Sequence, residues 1–186
     1  MHRRNFLATL AAAPLALWAG HRLLAASGKS PTSPEVVALQ NDWKNLLAAN
    51  AEIATTTEPL KLSNDEWKKR LSPAAYHVLR EEGTEAPGTS VLNREKRPGV
   101  FVCGGCSLPL FTSAMKFESG TGWPSFFTTI PEAFGTSTDR LLILARTEYH
   151  CVRCGGHHGH VFDDGPAPTH LRYCNNGVAL RFVPKT

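Results

Sequence analysis

From Gly99 onward the apolar positions fall in short or alternating runs broken by glycine and proline: Val100 to Val102, Leu141 to Ala145, His160 to Phe162, Leu171 to Cys174 and Val178 to Phe182. Runs of this kind are the signature of short strands, in which successive side chains point to opposite faces. Ahead of them the period changes. Val36, Leu39, Trp43, Leu46 and Leu47 recur at three- and four-residue steps, so residues 34 to about 50 are predicted as helix, with Ser33 as its cap and Pro34 at its first position. Ser63-Asn64-Asp65-Glu66 is a capping box that opens a second, short helix, and a third starts at Ser72-Pro73 and ends near Gly83. The pattern is that of a mainly antiparallel β domain with a few short helices at its front.

The first residues have a different character. Arg3 and Arg4 precede an apolar stretch from Phe6 to Ala19, and small residues follow at Ala25-Ala26, the layout of a secretory signal over residues 1–26. The string Arg3-Arg4-Asn5-Phe6-Leu7 has the form of a twin-arginine export signal, a route for cargo already folded. The apolar run is short for a spanning helix, so contact with a membrane is expected only through a leader left uncleaved. Residues 27–61 read as a polar linker and the first helix, and residues 62–186 as the folded domain. Removing the leader takes out three arginines and no acid, so the net charge falls from +4 to +1 and gives no basis for nucleic-acid binding. The expected location is outside the cytoplasm, in the periplasm.

Four of the five cysteines form two pairs, Cys103-Gly-Gly-Cys106 and Cys151-Val-Arg-Cys154, with 44 residues between them. Each pair stands where a strand runs into a tight turn. Four thiolates so arranged suit one tetrahedral ion in a closed, structural site, with Zn²⁺ as the expected metal. Iron and a pair of disulfides are the alternatives, the second because an exported protein meets an oxidising compartment.

The fifth cysteine, Cys174, lies in a segment dense in polar chemistry: five of the eight histidines fall between positions 150 and 170. Strand alternation puts Arg172 and Cys174 on one face. A guanidinium and nearby imidazoles favour the thiolate, which is the nucleophilic form. The opposing reading is a small buried hydrophobe.

Three stretches carry a resemblance: Ser119-Gly-Thr-Gly-Trp-Pro-Ser-Phe126, His157-His-Gly-His-Val-Phe-Asp-Asp-Gly-Pro166 and Arg172-Tyr-Cys-Asn-Asn176. With both cysteine pairs, they are similar to the signature motifs of the B-type methionine-(R)-sulfoxide reductases over roughly residues 62 to 184. The resemblance implies a β-tent fold of two facing antiparallel sheets, with a structural zinc held by Cys103, Cys106, Cys151 and Cys154 far from the active site. It implies that Cys174 attacks the sulfoxide sulfur and becomes a sulfenic acid, that His160 with His157 supplies the proton, and that Asn176 orients the reacting groups. Trp123 would lie against the S-methyl group, with Asp164 and Arg172 matching further motif positions on the substrate side. The implied substrates are oxidised proteins or peptides, acted on by a monomer.

Many members of that family carry a second cysteine where Thr121 stands here. With the other four cysteines committed to metal, the sulfenic acid is expected to pass to an external thiol, either a small molecule or a thioredoxin-like partner. His158 and Gly177 also depart from the usual pattern. Two other readings are weighed against this one: a non-enzymatic zinc-ribbon module that binds a protein, with Cys174 inert, and a cysteine hydrolase using Cys174 and His160.

Overall fold

The structure is a computed structural model that describes residues 33–139 and 146–185. Among the described residues three α-helices come first: α1, Pro34–Asn41, α2, Asn64–Arg70, and α3, Pro73–Glu81. Each begins at a serine. Ser33, Ser63 and Ser72 accept from the backbone amides of Val36, Glu66 and Ala75, and Glu66 returns the bond to the Ser63 amide, completing the capping box. The α3 helix ends where Glu82 turns into the left-handed region at φ 57°. The first helix is shorter than its apolar spacing predicts, because the chain tightens into a 3₁₀ helix over Asp42–Leu46 and then extends at Leu47. In that tighter form Trp43, Leu46 and Leu47 still pack against the core as half-buried side chains.

Nine strands follow among the described residues: β1, Gly99–Cys103; β2, Pro109–Thr112; β3, Lys116–Phe117; β4, Ser125–Phe126; β5, Phe134–Asp139; β6, Arg146–Cys151; β7, His157–Phe162; β8, Arg172–Asn175; and β9, Leu180–Pro184. They form two antiparallel sheets, one ordered β2-β1-β9 and the other β3-β4-β8-β7-β6-β5. The expected mainly β architecture with two sheets is therefore present. The expected strand over Val178 to Phe182 begins later, since Gly177–Ala179 form a 3₁₀ turn before β9. The expected strand over Leu141 to Ala145 lies outside the described residues.

The sheets meet through aromatic side chains. Phe111 of β2 stacks on Phe126 of β4 with centroids 3.9 Å apart, and its edge meets Tyr173 of β8. Phe101 of β1 packs edge-on to Phe126 and against Phe182 of β9. Burial of these rings adds to the apolar core that the two sheets share. On a strand, alternate residues face opposite ways. Because Phe126, Tyr149 and Tyr173 point into this core, their neighbours Ser125, Glu148 and Cys174 point to the other face of the six-stranded sheet.

Candidate active site and metal centre

The strand register places Ser137, Glu148, His160, Cys174 and Ser125 opposite one another across β5, β6, β7, β8 and β4. Directly opposed residues of antiparallel strands share a face, so the row runs across the outer side of the sheet with His160 beside Cys174. Plain alternation would send His157 and His160, three residues apart, to opposite faces. A bulge prevents this. On β6, Tyr149 and His150 are consecutive, but their partners on β7 are Gly159 and His157, which leaves His158 as the extra residue. His157 thereby joins His160 on the outer face, with ring centroids 5.6 Å apart, while His158 turns into the core against Phe134 and Tyr149.

Gly159 makes the bulge possible. Its φ is 151°, and a Cβ there would lie 2.0 Å from the Cys174 carbonyl oxygen, so only glycine lets β8 approach this closely.

A small pocket of about 120 Å³ opens on this face, walled by Cys174, His160, Asn176, Trp123, Phe162, Arg146 and Thr84. Trp123 is held in place: its Nε1 donates to the Glu85 carbonyl at 3.1 Å. Asn176 is held at both ends of its amide, with Nδ2 donating to the His158 carbonyl at 3.0 Å and Oδ1 accepting from the Glu85 amide at 2.9 Å. Glu85 also accepts from the Gly177 and Val178 amides at 2.6 and 3.0 Å. This residue, on the loop after α3, thus fixes Trp123, Asn176 and the turn following β8 together.

His157 stands behind His160, almost fully buried, and its Nδ1 donates to Glu148 at 2.5 Å. Ser137 donates to the other Glu148 oxygen at 3.3 Å. Asp164 and Arg172 sit beside the pocket rather than in its wall. Their bond is a fork, Nε to Oδ1 at 2.7 Å and Nη2 to Oδ2 at 2.9 Å, and the guanidinium also lies over the Phe162 ring at 4.2 Å.

The expected thiolate at Cys174 is corrected by the balance of forces around it. Burial pushes the thiol up from its ordinary value, and the Arg172 guanidinium and the Thr121 hydroxyl oppose that rise without cancelling it. With its pKa raised above the ordinary value, Cys174 in the resting site is mainly a thiol at neutral pH.

The four remaining cysteines converge at the ends of β1 and β6. All four sulfurs lie within 4.8 Å of one another, Cys103 to Cys154 at 3.6 Å and Cys106 to Cys151 at 3.5 Å. None is in a disulfide. Four thiolates at a metal–sulfur distance of about 2.3 Å in a tetrahedron stand about 3.8 Å apart, so the donor set fits one ion. Without a cation the sulfurs compete for protons: hydrogen bonds from Cys106, Cys151 and Cys154 push Cys103 far up, and those from its neighbours, Cys103 foremost, hold Cys154 far down. A divalent ion removes that conflict. None of these cysteines lines the pocket at Cys174.

The sequence motifs brought Cys174, His160, His157, Asn176 and Trp123 to one place. Sequence reasoning missed Glu148 and Glu85. Their partners lie on other strands or far along the chain, and only the cross-strand register and the loop closure reveal them.

A family model described as the SelR domain matches residues 71–184. Among curated relatives, the peptide methionine sulfoxide reductase MsrB of Methanosarcina barkeri is 51% identical over 121 residues, which are 64% of this chain and 85% of that protein. The MsrB of Agrobacterium fabrum is 45% identical over 130 residues, 69% of this chain and 96% of the relative. That of Pseudomonas putida is 49% identical over 122 residues, 65% and 92% of the two chains.

Proposed function

Since the chain belongs to the family of SelR domains, we propose that it reduces methionine-(R)-sulfoxide in oxidised proteins or peptides to methionine, with Cys174 as the attacking group. The observation that carries this reading is the pocket in which Cys174 faces His160 across β7 and β8, beneath an indole held by the Glu85 carbonyl. A sulfoxide sulfur is a good electrophile once its oxygen is protonated. The Cys174 thiol gives its proton to His160 as its sulfur bonds to the sulfoxide sulfur, His160 passes that proton to the oxygen, and the oxygen moves to Cys174 as methionine leaves. The balance is one thiol plus one sulfoxide giving one sulfenic acid plus one thioether. Trp123 offers an apolar face for the S-methyl group.

Two molecules of an external thiol then return Cys174 to its reduced form, yielding water and one disulfide. Thr121 provides no sulfur for an internal route. The four-cysteine cluster holds a structural zinc, and the leader over residues 1–26 sends the folded chain out of the cytoplasm. The zinc-ribbon module would require a buried, inert Cys174, whereas this sulfur lines a pocket.

The test is turnover of peptides containing each epimer of methionine sulfoxide, with dithiothreitol as reductant. Conversion of the R epimer, lost on Cys174→Ser, is the expected result. Equal conversion of both epimers, or turnover that survives Cys174→Ser, would refute the reading.

A further inference from the structure

Glu148 on β6 carries a largely buried carboxylate whose two oxygens are both engaged. Oε1 accepts from His157 Nδ1 at 2.5 Å, and Oε2 accepts from the Ser137 hydroxyl of β5 at 3.3 Å. His150 Nδ1 approaches Oε1 only to 3.9 Å, outside hydrogen-bonding reach. Glu148 stands directly opposite His160 in the register of β6 and β7, so the two residues share the outer face of the sheet.

The proton on His157 follows from these partners. A carboxylate only accepts, so the hydrogen of this bond sits on Nδ1. The other ring nitrogen, Nε2, is buried and has no hydrogen-bond partner among the described residues. A proton there would be a buried donor with nothing to bond. Both observations select the form of the ring that is protonated at Nδ1.

His157 does not line the pocket at Cys174, but its ring meets that of His160 edge to face, with centroids 5.6 Å apart and planes at 67°. His160 does line the pocket, beside Cys174. The orientation of the His157 ring therefore sets the surface against which the His160 ring rests.

We propose that Glu148 is a positioning residue of the reaction: steadied by Ser137, its carboxylate locks His157 in the form protonated at Nδ1 and holds that ring as the back wall of His160. The inference rests on His160 carrying the proton from Cys174 to the sulfoxide oxygen. A ring that takes a proton from one atom and delivers it to another must keep a fixed orientation toward both, and the wall supplies it. Without the carboxylate, nothing among the described residues selects one form of His157 over the other.

The experiment has two readouts on the metal-loaded protein. Nitrogen NMR of protein with isotope-labelled histidine reads which ring nitrogen carries the proton, the His157 signals being assigned by their loss in His157→Leu. A protonated Nδ1 in the unaltered protein, and a mixture of both forms in Glu148→Leu, is the expected result. The second readout is the rate of methionine formation in a single turnover with a peptide carrying the R epimer. Glu148→Leu is expected to slow the maximal rate about a hundredfold and to leave the peptide concentration for half that rate within about twofold. Glu148→Gln keeps an acceptor for Nδ1 and is expected to stay within about tenfold of the unaltered protein. The double variant Glu148→Leu with His157→Leu is expected to be no slower than His157→Leu alone, since the carboxylate works through that ring. An unprotonated Nδ1 in the unaltered protein overturns the proposal, as does an undiminished rate in Glu148→Leu or a double variant slower than either single one. The ring readout needs no sulfoxide, so failure of the reductase reading, seen as no methionine from the unaltered protein, is distinct from failure of the role given to Glu148.

Discussion

Cys174 is buried enough that its thiol is pushed up, and Arg172 is the first of the groups that oppose the push. The sign follows directly. A raised thiol means a small thiolate fraction at neutral pH, so reactivity with iodoacetamide climbs with pH to a midpoint above the ordinary thiol value. Arg172→Met removes the guanidinium and is expected to move that midpoint higher still, slowing neutral alkylation about tenfold. An unmoved midpoint would show that Arg172 serves only its fork with Asp164. His158 poses the opposite problem. Burial holds this imidazole neutral in the fold, with its pKa lowered from 6.5 to about 4. As pH falls below 6.5 the unfolded chain takes up a proton that the folded chain refuses, so stability is lost through the window from 6.5 to about 4. The full cost is about 3 kcal/mol. Urea unfolding at about pH 7 and about pH 5 is expected to show a smaller drop for His158→Leu than for the unaltered protein, the metal's own acid sensitivity being common to both.

At the scale of elements, the active face depends on one bulge and one loop. The bulge at His158 sets two histidines side by side, and the Glu85 loop closes over β8. Glu85→Ala removes the carboxylate held by the Gly177 and Val178 amides and loosens the backbone that positions Trp123 and Asn176. A loss of about a hundredfold in kcat/KM is expected, with metal retained, because small misplacements of reacting groups are costly. A kinetically normal Glu85→Ala protein would remove the loop from the account. These same elements show what was legible in the sequence. Helix starts at Ser33, Ser63 and Ser72 were readable because a cap is a local bond between residues three apart. The two-residue strands β3 and β4 were not, since neither has a pattern of its own and both exist through pairing with distant partners. The motifs identified the site residues. The pairing of His157 with His160 was hidden by strand parity, and the role of Glu148 by register.

Over the whole molecule, the cysteine cluster ties the end of β1 in one sheet to the end of β6 in the other. A closed four-cysteine metal site contributes on the order of 10 kcal/mol to folding in small domains. Cys103→Ser is therefore expected to lose metal and unfold, read by metal content and circular dichroism, whereas Cys174→Ser keeps both. Equal loss of structure in the two variants would contradict that division of labour. Among the described residues no helix is long and apolar enough to cross a membrane. The central claim is that one cysteine does the chemistry alone, and a single turnover without reductant tests it most directly. The reduced, metal-loaded protein is mixed with a peptide carrying the R epimer, and the peptide and Cys174 are weighed by mass spectrometry. The account predicts one methionine per chain and one added oxygen on Cys174. Unchanged peptide with an unmodified Cys174, or an intramolecular disulfide at that residue, would contradict it.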